Sequence, residues 1–184
     1  MEYTYNMTSV SMDELKQYII NTNGYIRKVY LHWSAGRYHQ AFDDYHINID
    51  SDGKVYMFDS DLTIKRNHTY MRNSRSVGIA LCCAYGAVCN SGYDADMGDY
   101  DVTSEQIETM AYIIALFVRY GGISINDVMT HCEAAFEDGY GPYQGDPDLR
   151  WDLWWLYDNA DGRMKLGGNV LRGKAEWYLS NYNV

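Results

Sequence analysis

Ser76-Val77-Gly78-Ile79-Ala80-Leu81-Cys82-Cys83-Ala84 is the stretch on which the fold turns. It is a near-continuous run of apolar and small residues with no solvent-facing alternation, which suits a strand covered on both faces. Such strands occur where helices flank a sheet. The neighbouring segments should therefore alternate between strands and helices.

They do so. On the N-terminal side, Ser11-Met12-Asp13-Glu14 reads as a helix start, with Ser11 as cap and the acidic pair at the positive end of the dipole. That helix runs to about Asn21 and stops before Gly24, and Ile26 to Trp33 follows as a strand ending in a turn at Ser34-Ala35-Gly36. Tyr45 to Asp50 and Lys54 to Phe58 read as two strands joined at Ser51-Asp52-Gly53, a hairpin signal because Gly tolerates positive φ.

On the C-terminal side, Cys89 to Asp101 is rich in Gly, Asp and Asn and reads as an exposed loop. The clearest helix follows: Thr103 or Ser104 caps it, Ile107, Met110, Ala111, Ile114 and Val118 share one face, and Gly121-Gly122 ends it. Ile125 to His131 reads as a short strand, Gly139 to Pro147 as a loop, Leu149 to Leu156 as a short helix and Val170 to Tyr178 as a last one. The pattern predicts a single α/β domain over 1–184, with a central mixed sheet flanked by helices on both faces.

The bulk properties exclude several roles. A net charge of −10, with no basic run longer than Lys65-Arg66, argues against nucleic acid and anionic membrane surfaces as partners. The most apolar runs, around Ile79–Cys89 and Tyr112–Val118, are too short to span a bilayer. Met1 to Val10 lacks a charged leader followed by an apolar stretch, so no signal peptide is expected and synthesis is expected to be cytoplasmic. Cys82, Cys83, Cys89 and Cys132 form no paired CxxC set, which fits reduced thiols. The 19 tyrosines and five tryptophans exceed an ordinary share, and those left exposed would suit sugar rings and peptides.

For chemistry, His32 and His131 each end a predicted strand, and Asp146 lies in Gly145-Asp146-Pro147, where Pro147 stiffens the backbone. Two strand-end histidines and a loop carboxylate can converge at one sheet edge as the three ligands of a hydrolytic zinc site, leaving a fourth position for water.

Beyond spacing, there is a resemblance. Leu31-His32-Trp33-Ser34-Ala35-Gly36, the hairpin Tyr45-His46-Ile47-Asn48-Ile49-Asp50-Ser51-Asp52-Gly53, and His68 through Asn73 to Ser76-Val77-Gly78-Ile79 resemble, in order, segments of the zinc-dependent N-acetylmuramoyl-L-alanine amidases. Thr130-His131, Gly145-Asp146-Pro147 and Arg150-Trp151-Asp152 resemble that family's second and third ligand region. The family includes phage lysozyme-like amidases and peptidoglycan recognition proteins, and the likeness covers roughly residues 26–156.

The resemblance implies Zn2+ held by His32, His131 and Asp146, with the Tyr45 hydroxyl orienting the attacking water and supporting the tetrahedral intermediate. It also implies His68, Asn73 and Trp33 along the substrate cleft, peptidoglycan or muropeptide as partner, and a monomer that acts on the wall if released, as a phage endolysin does. Three departures stand out. Gln144 occupies the position where relatives carry a catalytic Lys, and the His131–Asp146 spacing of fourteen residues is longer than in relatives. The segment from Gly36 to Tyr45 is also short, where many relatives insert a helix, which leaves one side of the cleft more open.

Alternatives remain at this level. Asp148 and Asp152 are rival carboxylates for Asp146, with Asp148 the first alternative and Asp152 read rather as a cap or anchor of the short helix among Trp151, Trp154 and Trp155. His46 is expected to point away from Tyr45 and pack, His39 to lie at the surface, and His68 to be either cleft floor or a bonded loop residue. The function itself has two rivals: a non-catalytic peptidoglycan-recognition module, and a zinc peptidase cutting stem-peptide bonds.

Overall fold

The computed structural model describes residues 8–91, 94–144 and 150–182. Its elements run β1 (Thr8–Val10), α1 (Met12–Asn21), β2 (Lys28–Trp33), β3 (Ile47–Ile49), β4 (Val55–Met57), β5 (Ser76–Leu81), β6 (Val88–Ser91) and β7 (Asp94–Asp96). Then come α2 (Ser104–Tyr120), a 3-10 turn at Ile125–Asp127, β8 (Val128–Thr130), α3 (His131–Glu137), β9 (Trp155–Asp158), β10 (Arg163–Leu166) and α4 (Gly167–Asn181). Six strands form one mixed sheet in the order β1-β4-β3-β5-β2-β8. The three pairings that involve β2 and β5 at its centre are parallel, and the β3–β4 hairpin and the β1 edge are antiparallel. This is an α/β fold.

β5 is buried along its whole length, as its sequence requires. Alternation sorts the central strands into two layers. Val29, Leu31 and Trp33 of β2 and Val77, Ile79 and Leu81 of β5 join the main core, which also takes in α1, α2 and α4. Tyr30 faces the other way, packed with Met129 and with Ala134 of α3. His32, two residues on, shares that second face. There β2 lies in register with small residues of β5, Tyr30 opposite Gly78 and His32 opposite Ala80. Small side chains leave the space in which the polar groups described below are packed.

Local chemistry accounts for the boundaries. Ser11 with Glu14, Thr103 with Gln106 and Thr130 with Glu133 each form a reciprocal capping box that starts α1, α2 and α3. The β3–β4 hairpin closes through Gly53 at φ 79°, with Asp50 N–H donating to Lys54 O at 2.9 Å.

The structure departs from the sequence expectations in several places. Ile125–His131 is not one strand: only Val128–Thr130 is extended, and His131 opens a helix. The Thr130–Glu133 box supplies that helix with its N-terminus. No helix spans 150–156; Trp155–Asp158 instead pairs with Arg163–Leu166 in a hairpin that reverses through Gly162 at φ 71°. Part of the expected 89–101 loop is the β6–β7 pair, and the last helix is longer than 170–178.

Candidate metal centre

His32 is fully buried near the end of β2, and His131 is the first residue of α3, beside the end of β8, the parallel neighbour of β2. Their rings lie 4.8 Å apart, centroid to centroid. The third member is Asp152. Its Oδ2 is 3.0 Å from His32 Nδ1 and 3.2 Å from His131 Nδ1, and its Oδ1 is 3.1 Å from His131 Nδ1. Two imidazole nitrogens and a carboxylate oxygen thus lie within 4.8 Å of one another, a donor set that could hold a metal ion.

Packing aims the carboxylate. Trp151 stands edge-on to the buried Trp33 at 4.7 Å, and Leu153, completely buried, takes φ 57°. A non-Gly residue in that region costs on the order of 1 kcal/mol, which the burial of Leu153 offsets. Gly167 lets the start of α4 pass beneath the turn: a Cβ there would fall 2.1 Å from Leu153 O, and its N–H donates to Trp154 O at 2.9 Å.

The electrostatics suit a cation. Burial alone would raise the Asp152 carboxyl, but the adjoining imidazoles, His131 foremost, reverse this and hold it well below the usual carboxylate range. Burial lowers His32, against the pull of Asp152. Neutral imidazole beside ionised carboxylate is the state in which these groups donate lone pairs.

Tyr45 is half-buried, its ring 5.1 Å from that of His32. Burial, then the charges of Asp152 and Asp44, push its phenol above the ordinary tyrosine value, so it remains a proton donor. His46 also lies on this side of the sheet, because the two residues precede β3 and strand alternation does not yet apply. It is buried, donates from Nε2 to Ile64 O at 2.7 Å and accepts Gly78 N–H at Nδ1 at 3.0 Å; burial brings its pKa down to about 4.

His68 is buried beside both, its ring 5.5 Å from His32 and 5.4 Å from His46, so it packs directly behind the cluster. Asn73 ties down the backbone beneath these rings, its Oδ1 accepting the N–H groups of His68 and Thr69 at 3.2 and 2.8 Å. The resemblance puts Trp33 along the cleft, but the side chain is 7% exposed and belongs to the core face, opposite His32. Gln144 spends both ends of its amide on its own loop, accepting Gly141 N–H at 2.7 Å and donating to Phe136 O at 3.3 Å. Asp146 and Asp148 lie outside the described residues.

His39 is at the surface, paired with the buried Asp50 at 2.6 Å. Sequence reading missed Thr69, whose hydroxyl lies 3.3 Å from His32 Nε2. It ranked Asp152 below Asp146 and Asp148 among the rival carboxylates; the signal for Asp152 was the adjacent Trp151, which packs on the same strand that carries His32.

A family model described as N-acetylmuramoyl-L-alanine amidase matches residues 16–147. The match takes in His32, Tyr45, His68 and His131 and stops short of Asp152. No curated protein gives a significant match to the chain.

Proposed function

The chain belongs to the N-acetylmuramoyl-L-alanine amidase family, and from that premise we propose that it is a zinc-dependent hydrolase of the amide between the lactyl group of N-acetylmuramic acid and L-alanine in peptidoglycan. The observation that carries this reading is the convergence of His32, His131 and Asp152. Two neutral imidazoles and an ionised carboxylate are donors of the kind that hold zinc in hydrolases while leaving a position open. Asp152 is the carboxylate the structure brings to the pair; the resemblance names Asp146 instead, and the two are separable by mutation.

Zinc in such a site supplies two things, a bound water with a pKa near 7 and polarisation of the scissile carbonyl. The chain's own residues supply the rest. The Tyr45 phenol stays protonated and donates toward the oxygen on which negative charge develops. The sheet and the α3 cap hold the two imidazoles in place before substrate arrives, so little reorganisation is needed during reaction.

Among the described residues, no helix is long and apolar enough to cross a membrane. An endolysin-like setting, with the protein made in the cytoplasm and acting on the wall after release, is part of the proposal, as is a monomeric state. The test is a defined muropeptide incubated with purified protein, with and without chelator, and the fragments weighed. Turnover that chelator abolishes and zinc restores, with release of a free L-alanine amino terminus, supports the reading. Binding without turnover would identify a recognition module, the outcome that Gln144 in place of lysine favours. Cleavage within the stem peptide would identify a peptidase.

A further inference from the structure

A buried file of hydrogen-bonding groups leads away from the His32 ring on the side opposite Asp152. Thr69 Oγ1 is 3.3 Å from His32 Nε2 and 2.9 Å from His68 Nδ1. His68 Nε2 lies 3.4 Å from Ser76 Oγ, and Ser76 Oγ is 2.9 Å from the carbonyl oxygen of Arg72. All four side chains are buried, none more than 6% exposed.

The far end sets the direction of the whole file. A carbonyl oxygen only accepts, so the single hydroxyl proton of Ser76 is committed to Arg72. Ser76 Oγ then receives from His68, whose ring also bonds the Ser76 backbone, and His68 carries its proton on Nε2. Its Nδ1 is left as a lone pair, which the Thr69 hydroxyl fills by donating. Thr69 Oγ1, its proton used, accepts from His32 Nε2–H. With a metal ion taking the His32 Nδ1 lone pair that faces Asp152, reversing any one link sets two protons or two lone pairs against each other in a buried site, at a cost of about 1–3 kcal/mol per unsatisfied group.

We propose that Thr69 and His68 are positioning residues that hold the His32 proton on Nε2 and thereby make Nδ1 its metal-binding atom. This deepens the zinc reading and rests on it. Nδ1 is the nitrogen that faces Asp152, and His131 presents its own Nδ1 to the same carboxylate. All three donors therefore point at one place. The surroundings keep the file in line: Asn73 fastens the backbone of His68 and Thr69, and Gly78 leaves room for the His68 ring, which a Cβ would meet at 2.4 Å.

The experiment uses protein labelled with 15N-histidine, first metal-free and then loaded with Zn2+ alone. The Zn2+-loaded protein is expected to show protons on Nε2 of both His32 and His68 and a metal-shifted His32 Nδ1, whereas without metal His32 Nδ1 faces the ionised Asp152 carboxylate at 3.0 Å and holds a proton against it. A His32 that binds Zn2+ through Nε2, or a His68 protonated on Nδ1, overturns the proposal. Thr69→Val, which keeps the shape and removes the hydroxyl, is expected to weaken Zn2+ affinity about 10- to 100-fold, and Thr69→Ser to restore it. Equal affinity of Thr69→Val and wild type overturns the proposal too. Should Thr69→Val fail to fold, the wild-type spectrum decides. A wild type that binds no Zn2+ refutes the zinc reading, whereas the His68 Nε2 proton, read in the metal-free protein, judges the hydrogen-bond file separately.

Discussion

Asp152 Oδ2 lies 3.0 Å from Nδ1 of His32, across 120 residues of chain. Asp152→Asn is therefore expected to lower Zn2+ affinity by more than about 100-fold, beyond the 10- to 100-fold typical of outer partners, while Asp146→Asn retains the ion. Metal content after gel filtration distinguishes them. If the Asp146 variant is the one that loses zinc, the carboxylate donor is reassigned to Asp146.

Tyr45→Phe removes a hydroxyl and nothing else. Zinc should stay bound and kcat should fall by about 10²- to 10³-fold, the usual loss for one donor to a developing oxyanion. Because the phenol is held above its ordinary value, its ionisation does not limit turnover at or below about pH 10, where a free tyrosine titrates. A Tyr45→Phe enzyme with full kcat would remove this role.

His46 is buried neutral, its pKa lowered from 6.5 to about 4. In the unfolded chain it takes up a proton below about 6.5, so the unfolded state binds more protons than the folded one between these two values. Stability is thus fully present above pH 6.5 and falls as the pH drops toward 4, by on the order of 3 kcal/mol from this residue. Urea unfolding of metal-free protein across that window, with the His46 ring followed by NMR, measures it. A ring that titrates near 6.5 in the folded protein would contradict the burial argument.

Gly78→Ala sets two effects against each other. A strand alanine gains about 0.5–1 kcal/mol over glycine, but the new methyl would sit 2.4 Å from Cγ of His68, and overpacking of this kind costs about 1–3 kcal/mol. The clash should win, lowering the urea midpoint and displacing His68. A variant as stable as wild type would show that the ring moves freely.

The sheet and the two histidines are legible in the sequence for one reason: apolar runs mark the central strands, and both imidazoles stand where such strands end. The rest is hidden to different degrees. The resemblance sets Trp33 with His32 along the cleft, although adjacent strand residues face opposite sides; alternation with Val29 and Leu31 already puts Trp33 in the core. The capping box that makes His131 a helix start is present as Thr130 and Glu133, but the short apolar run before it reads as a strand that continues through His131. Asp152 is the hardest case. Its approach depends on Leu153 at φ 57° and on Gly167 beneath it, a turn that no local pattern announces. Thr69 has no signal of its own, since a hydroxyl's partners are set by tertiary packing.

The three donors sit on separate pieces of the chain: a central strand, the first turn of a helix, and the turn that leads into the β9–β10 hairpin and α4. An ion gripped by all three acts as a clasp. It stabilises only conformations in which the segment beyond Arg150 is seated on the sheet. Stripping it would loosen that segment first and leave the hydrogen-bonded strands closed, so sensitivity to proteolysis after chelation should begin near the carboxyl end.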